Sequence, residues 1–534
     1  MASQNWDDHD RSNRYTAQSM AKSYLQSIQK DKGAIIFTIG DNDTFALWYA
    51  QEIEGFRTDV RTINSSLIGT DWYIDQMKRK TYESDPIPSQ MTHDLYAYGV
   101  RDVIRYQPVL DSVRWDIKDL MNWIASDHPR TKLKDLLQKT GQDPNQLPES
   151  QQEGVFYPTR KIRVPVNKDN VLKSGIVKAE DADKILPYID IDLPENALLK
   201  NQMMMLDILA NNDWERPIYF TGGSYSDSEY LWMKKYLQLE GLVYKLVPIE
   251  TDLGNENPYL MGRIDSDLMY DIVMQWEWGN SERLDIYHDP ETRKNSISFR
   301  SNMARLAETL INEGKAEKAK DILDLAIEKM PLDYFGYYSL LVPFVDGYYR
   351  IGEIEKARQL SDKIAAKYSG RLNYFSSLDA NLQYNLGEEI ITEIERYRTL
   401  VEADLKHGET IELAPVLNEF MESIEPFRYL YGDYEFYTGL IDVAEGYFLD
   451  GQTALAQDLS TKISAEFDER LSLYSQISED SQLQLSSRIQ RELNNFNYVV
   501  QIVKAYDSTA FGDQIEGLFN KNLNLFSAIL NSEE

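Results

Sequence analysis

Residues 34–64 have the sequence AIIFTIGDNDTFALWYAQEIEGFRTDVRTIN, and this stretch predicts a β-α-β unit. Its apolar start, Ala34–Ile39, is typical of a short buried strand that ends at a polar turn. A helix is expected over Thr44–Glu54, and Val60–Asn64 has the β-branched composition of a second strand. Two strands joined by a helix at this spacing are typical of a parallel sheet.

The alternation of helices and strands continues on both sides of this unit. Helical spacing of apolar residues predicts amphipathic helices over Arg11–Gln29 and Asp71–Lys80. Further elements are predicted as helices at Ile117–Ala125, Asn196–Asn211 and Glu229–Glu240, and as strands at Lys161–Val166, Pro217–Phe220 and Leu242–Pro248. The fold class predicted for residues 1–288 is therefore an α/β domain with a mostly parallel sheet and flanking helices.

A break in composition predicts a second domain over residues 289–534. All nine Trp lie between Trp6 and Trp278, and Pro becomes sparse after Pro290. Residues Met303, Leu306, Ala307, Leu310, Ala319, Leu323, Ala326 and Pro331 fit the spacing of one tetratricopeptide-like helix pair. GYYRIGEIEKARQLSDKIAAKY (347–368) also resembles GYFLDGQTALAQDLSTKISAEF (446–467). We therefore expect an all-α domain of helical repeats with capping helices at its C-terminal end.

The bulk composition excludes several classes of function. The net charge is −31, from 87 acidic and 56 basic residues, which disfavours binding to nucleic acids. Because the chain has no Cys, disulfides, thiolate catalysis and cysteine zinc sites are excluded. No window approaches the roughly 20 apolar residues of a membrane-spanning helix, and the first residues lack the features of a signal peptide. Taken literally, this indicates a cytosolic chain; taken as a fragment, it indicates nothing about the compartment.

The segment Gly40-Asp41-Asn42-Asp43-Thr44 is the first candidate for a ligand site. It follows the first predicted strand, and ligands bind at the carboxyl ends of strands in open α/β sheets. Asp41 and Asp43, separated by one residue, could share a divalent cation such as Mg²⁺ or Ca²⁺, as in some nucleotide-sugar transferases. In the alternative interpretation, Asp43 caps a helix that begins at Thr44 and Asp41 shapes the turn.

Two further segments are candidates for binding. The cluster Asp7-Asp8-His9-Asp10-Arg11 could form a metal or substrate-docking patch, or could place Asp10 or Ser12 as the N-cap of the first helix. The glycine-rich segment Gly222-Gly223 after the strand at 217–220 could hold an anion with backbone N–H groups, or could simply form a tight turn. No His-x-x-x-His pair or Gly-x-Ser-x-Gly segment occurs, so no catalytic residue is predicted.

Several long strings resemble a known family, the domain-of-unknown-function 2723 proteins. They are QNWDDHDRSNRYTA (4–17), GDNDTFALWYAQEIEGFRTDVRTIN (40–64), TDWYIDQMKRK (70–80), NDWERPIYFTGG (212–223) and YLQLEGLVYKLVP (236–248). The resemblance implies a polytopic protein of Gram-negative bacteria, similar to lipid-linked-sugar glycosyltransferases and related to a eukaryotic transmembrane protein O-mannosyltransferase. In that family the catalytic acid lies in the membrane half, which this sequence lacks, so no catalytic residue is carried over.

The resemblance therefore implies the extracytoplasmic part of a membrane protein, at the periplasmic face of the inner membrane and without catalysis of its own. Its partners would be the transmembrane half and an acceptor or partner protein docked by the helical repeats. Two alternatives remain open: a sugar- or nucleotide-sugar-binding module with a divalent cation at Asp41 and Asp43, and a free-standing repeat scaffold. The repeats could also merely pack on the α/β domain.

Overall fold

The chain forms two compact units, residues 1–337 and residues 338–534, called here the first and second units. The computed structural model describes residues 6–146, 148–222, 231–252, 261–407, 416, 419–427, 434–476, 482–483, 485–507 and 510–527. The boundary predicted between residues 288 and 289 stays a prediction, since the division after residue 337 counts the helix pair at 290–329 with the first unit.

Mixed β-structure makes up the centre of the first unit. The described strands are β1 (Ile35–Thr38), β2 (Arg61–Asn64), β3 (Val103–Tyr106), β4 (Trp115–Asp116), β5 (Phe156–Tyr157), β6 (Lys161–Pro165), β7 (Tyr188–Asp192), β8 (Ala197–Leu199), β9 (Ile218–Thr221), β10 (Leu237–Glu240), β11 (Val243–Leu246) and β12 (Arg263–Ile264). Six of them form the central sheet in the order β12-β10-β11-β9-β1-β2. The others form two three-stranded sheets, β5-β3-β8 and β4-β6-β7.

Helices surround these sheets in the first unit. They are α1 (Trp6–His9), α2 (Thr16–Gln26), α3 (Asp41–Glu52), α4 (Asp71–Met77), α5 (His93–Tyr96), α6 (Ile117–Ala125), α7 (Leu133–Lys139), α8 (Glu149–Gln152), α9 (Lys168–Lys173), α10 (Lys200–Asn212), α11 (Ser266–Val273), α12 (Pro290–Asn312), α13 (Ala316–Lys329) and α14 (Leu332–Phe335). The predicted β-α-β unit is present as β1-α3-β2, and β1 pairs in parallel with β2.

The central sheet is mixed, where a mostly parallel sheet was expected. β1 is parallel to both β2 and β9, but β11 is antiparallel to β9 and to β10. The helix predicted over Glu229–Glu240 was wrong for its last four residues, because Leu237–Glu240 is strand β10. All four of these side chains are buried, so tertiary packing prevails over the local helical pattern.

A buried ion pair lies within the β10–β11 hairpin. Lys245 Nζ lies 2.5 Å from Glu240 Oε1, and the two side chains are 4% and 3% exposed. Glu240 also accepts hydrogen bonds from the hydroxyl of Tyr219 at 3.1 Å and from Nε2 of Gln238 at 2.7 Å. Burial raises the pKa of Tyr219 well above its ordinary value, and the nearby Glu240 adds to this, so the phenol stays a donor. The carboxylate is therefore held by three neighbours inside the sheet.

The second unit is largely helical, as expected for this part of the chain. Its described helices are α15 (Val342–Arg350), α16 (Ile354–Ser376), α17 (Ala380–Asn385), α18 (Gly387–His407), α19 (Tyr434–Leu449), α20 (Thr453–Ser475), α21 (Ser486–Tyr506) and α22 (Ala510–Leu525). Among the described residues, no helix combines the length and the apolar composition needed to cross a membrane.

The helices expected from the repeat pattern are present, and those that follow one another in sequence pack together. Gly352 and Gly451 have φ angles of 82° and 73° in the turns after α15 and α19, a conformation that favours glycine. Ala357 and Ala456, predicted as contact residues of the following helices, are both fully buried. The helices and turns are thus as predicted, whereas their assignment to a tetratricopeptide-like repeat stays a prediction.

Candidate functional site

The turn between β1 and α3 lies at the carboxyl ends of three neighbouring parallel strands. β1 is flanked by β2 on one side and by β9 on the other, so the carboxyl ends of these three strands lie at the same edge. Gly40 has a φ of 83°, which lets the chain turn sharply from β1 into the helix. In sheets of this kind, ligands bind where loops leave neighbouring strands in opposite directions.

A buried set of hydroxyl and amide groups fixes the start of α3. Thr44 Oγ1 donates to the carbonyl of Gly40 at 2.7 Å and lies 2.6 Å from Thr38 Oγ1. Asn64 Nδ2, at the end of β2, donates to Thr44 Oγ1 at 2.9 Å. The loops after β1 and β2 are therefore joined by side-chain hydrogen bonds, and Thr44 is committed to this structural role.

Helix α3 begins at Asp41, three residues earlier than predicted, so Asp41, Asn42 and Asp43 form its first turn. The interpretation of Asp43 as the cap of a helix starting at Thr44 is accordingly wrong, since the capping position is Gly40. Carboxylates in a first helical turn are favoured by the helix dipole. Asp41 and Asn42 are exposed, whereas Asp43 is half-buried.

Asp43 faces Thr221, the last residue of β9. Burial raises its pKa to about 6, although a hydrogen bond from the hydroxyl of Thr221 acts in the opposite direction. Thr221 Oγ1 in turn accepts the backbone N–H of Ile39 at 3.2 Å. The carboxyl group of Asp43 is thereby linked to the ends of both β1 and β9, and its pKa lies at about 6.

The shared cation expected at Asp41 and Asp43 is not favoured by the helical geometry. Side chains two residues apart in an α-helix do not face each other, and here one is exposed and the other is turned inward. Within the described ranges, no group of three or more His, Asp or Glu side chains is placed to hold a metal ion. The cation therefore stays a prediction, and of the pair only Asp43 faces the neighbouring strand end.

Gly222, the described residue of the glycine-rich segment after β9, lies at the same edge of the sheet. Gly222 follows Thr221 directly, and a Cβ at this glycine would lie 3.3 Å from the ring of Tyr244. Gly223 lies outside the described residues. Two segments that the sequence suggested separately, 40–44 and 222–223, thus have their described parts at one edge of the sheet.

The N-terminal cluster lies elsewhere in the first unit. Asp7, Asp8 and His9 belong to the short helix α1, and His9 is exposed. Asp10 accepts hydrogen bonds from the backbone and hydroxyl of Ser12, which lower its pKa. Although burial acts in the opposite direction, hydrogen bonds from Thr292 lower the pKa of Asp289, and the nearby Arg14 and Arg11 add to this.

Residues that follow this cluster join it to the end of the α/β region. Arg14 Nη1 lies 3.0 Å from Asp289 Oδ2, and the backbone N–H of Tyr15 donates to Gly279. The described contacts of this segment are therefore with residues 279–289, and they do not include the first turn of α3.

An aromatic pocket beside α3 was not predicted as a site. This aromatic cleft, defined here by Trp48, Glu52, Trp72, Gln76 and Tyr82, has a volume of about 350 Å³. It lies between α3, α4 and the turn around residue 82, next to β2 at the edge of the central sheet. The sequence contains a signal for it, because Trp48 and Trp72 lie on two successive predicted helices that flank one strand.

Two arginines, the buried Arg61 and the half-buried Arg216, hold the segment that forms one wall of this cleft. The guanidinium of Arg61 donates to the carbonyls of Arg79, Ser84 and Asp85. Arg216 donates to the carbonyls of Gly33 and Pro86. Burial lowers the pKa of both groups, that of Arg216 to about 10, yet each remains charged at neutral pH.

A wider cleft lies between the small β4-β6-β7 sheet and the loop before β10. Its volume is about 1080 Å³, and four basic and four acidic residues line it. The guanidinium of Arg163 stacks on Tyr188 at 3.5 Å and forms two 2.8 Å hydrogen bonds to Asp190. Since acids and bases balance along its lining, this cleft offers no net charge to a ligand.

These features define the first unit as an α/β module with candidate binding geometry at the strand ends and beside α3. Residues 17–268 match the family model described as TMEM260-associated domain 2. The match spans somewhat less than half of the 534-residue chain, and the family is linked to membrane protein O-mannosyltransferase-like proteins. Domain-of-unknown-function 2723 itself is not shown by this match. No curated protein and no solved structure matches the chain.

Proposed function

We propose that this chain is the extracytoplasmic, non-catalytic region of a membrane glycosyltransferase-like protein. The observation that carries the proposal is the match of residues 17–268 to a TMEM260-associated domain, a domain associated with a membrane protein. The strings that resemble domain-of-unknown-function 2723 proteins point the same way. In this role the first unit adjoins the transmembrane half at the periplasmic face.

The second unit, in this proposal, docks an acceptor or partner protein through its helical repeats. Exposed apolar side chains near the end of α16 and in α17 support it: Tyr374, Leu382 and Tyr384 are 62%, 46% and 76% exposed. Large exposed apolar groups of this kind are enriched where proteins bind one another.

The docking role predicts that replacing Tyr374, Leu382 and Tyr384 together by Ala lowers the recovery of a bound protein at least about tenfold, since aromatic anchors dominate binding energy. The measurement is cross-linking of the intact chain in cell envelopes, followed by affinity purification. Tyr98→Ala is the matched control, because Tyr98 is 91% exposed in the first unit. Equal recovery from the triple variant and the control would contradict docking by this surface.

The membrane role has a separate test. We expect the native reading frame that contains these residues to encode transmembrane segments, and the full product to sediment with the membrane fraction. A native product that consists of these residues alone and stays out of membranes would contradict the proposal.

A second candidate function is binding of a nucleotide sugar with a divalent cation at the start of α3. It is favoured by the meeting of Asp43, Thr221 and Gly222 at the ends of neighbouring parallel strands. We expect calorimetric heat and a raised melting temperature with Mg²⁺, Mn²⁺ or Ca²⁺ plus a nucleotide sugar, and loss of both in Asp43→Asn. If no combination of cation and nucleotide sugar produces heat or shifts the melting temperature, this candidate is wrong.

A further inference from the structure

Two aromatic side chains of the aromatic cleft are largely exposed to solvent. Trp72 and Tyr82 are each 55% exposed although both line the cleft. They lie on different elements, Trp72 on α4 and Tyr82 on the turn that follows it, while Trp48 belongs to α3. Its volume of about 350 Å³ is at the lower end of the range of about 300–1000 Å³ for small-molecule sites.

The polar groups of this cleft include one carboxylate, two amides and several hydroxyls. The Tyr82 hydroxyl donates to Glu52 Oε2 at 2.5 Å, and the carboxylate retains capacity for further donors. Gln76 is exposed at the edge of the cleft, where its amide can both donate and accept. Gln51, in contrast, is committed to the carbonyls of Arg57 and Val60.

The charges of the cleft disfavour an anionic ligand. Glu52 and Arg61 are the charged residues of its lining, and Arg61 is buried with its donors directed to backbone carbonyls. A phosphate or carboxylate would therefore meet the Glu52 carboxylate without a free cation beside it. The rings of a proline-rich peptide could pack on the aromatic side chains, but proline has no N–H to donate to the Glu52 carboxylate.

We propose that the aromatic cleft binds a neutral saccharide of one or two rings. The faces of aromatic rings carry partial negative charge and attract the C–H groups on one side of a sugar ring. Trp72 supplies such a face. Glu52 accepts hydrogen bonds from the sugar hydroxyls, and the Gln76 amide exchanges hydrogen bonds with them. This site is distinct from the first turn of α3 and goes beyond the docking role proposed for the second unit.

The test is saturation-transfer NMR and calorimetry of the full chain with maltose, cellobiose and lactose. We expect saturable binding of at least one of them, weakened about tenfold or more by Trp72→Ala and only partly by Trp72→Phe. Glu52→Gln should weaken binding severalfold, because a charged acceptor becomes a neutral one. Tyr98→Ala, which removes an exposed ring outside the cleft, should leave binding unchanged.

Three results would overturn the inference: no binding of any of these saccharides, binding that Trp72→Ala leaves unchanged, or binding of a proline-rich peptide that Trp72→Ala abolishes while saccharides remain inert. Because Trp72 is half exposed, its replacement should leave the fold intact, which circular dichroism can verify. The docking test uses other residues in the second unit, so the two proposals can fail independently.

Discussion

Replacing Lys245 by Met is expected to lower the free energy of unfolding of the first unit by about 3–5 kcal/mol, because it leaves a carboxylate buried without its cation. Glu240 would retain hydrogen bonds only from Tyr219 and Gln238. Both members of the ion pair are almost fully buried, so water cannot replace the missing ammonium group.

Chemical denaturation followed by Trp fluorescence measures this effect in the relevant unit, since all nine Trp lie between residues 6 and 278. Glu240→Gln combined with Lys245→Met should recover part of the loss, because no unpaired charge remains. Lys134→Met is the control. Lys134 Nζ lies 3.5 Å from Glu153 Oε1, and both side chains are about half exposed. The loss of unfolding free energy expected for this variant is therefore less than about 1 kcal/mol. A loss of similar size for Lys134→Met and Lys245→Met would contradict the buried-pair explanation.

Replacing Asp43 by Asn is expected to stabilise the first unit at pH 7.5 by about 2–3 kcal/mol and to have little effect near pH 4. Burial raises the pKa of Asp43 in the folded chain to about 6 from an ordinary value of 3.8. The unfolded chain therefore loses this proton at lower pH, and the wild-type stability falls as pH rises between about 4 and 6. Asn carries no charge to bury, and its side-chain oxygen can still accept from Thr221.

The measurement is a series of denaturation curves at several pH values for the wild type, Asp43→Asn and Asp41→Asn. Asp41 occupies the same helical turn but is exposed, so its variant should show no comparable gain at neutral pH. A stability difference between Asp43→Asn and the wild type that is independent of pH would contradict the raised pKa. If the Asp43→Asn variant is more stable than the wild type and no longer binds a ligand that the wild type binds, the burial of this carboxyl group is a cost in stability that ligand binding requires.

Much of the first unit's architecture could be predicted from the sequence. β1 and β2 are apolar or β-branched runs bounded by polar turns, and helix α6 was predicted with its observed bounds. The β10 strand was missed because Leu237–Glu240 continues a helical pattern locally, and only its pairing with β11 and β12 reveals a strand. Pairing of this kind depends on contacts distant in sequence, which local patterns do not contain.

The candidate site was only partly accessible from the sequence. Segments 40–44 and 222–223 are each suggested by the sequence, but the placement of Gly222 near residues 40–44 depends on β9 pairing with β1 across roughly 180 residues. Helix α3 begins three residues before its predicted start. Asp and Asn side chains usually favour turns and caps, so residues 41–43 have the local pattern of a turn. The aromatic cleft was missed since exposure of Trp72 and Tyr82 is a property of the fold.

The two guanidinium groups of Arg61 and Arg216 have a thermodynamic consequence for the aromatic cleft. Their hydrogen bonds fix backbone carbonyls between residues 79 and 86. The segment around Tyr82 therefore has few conformations to lose when a ligand binds. Complex formation there should consequently show a small conformational entropy penalty, and apo and occupied forms should have nearly superimposable backbones.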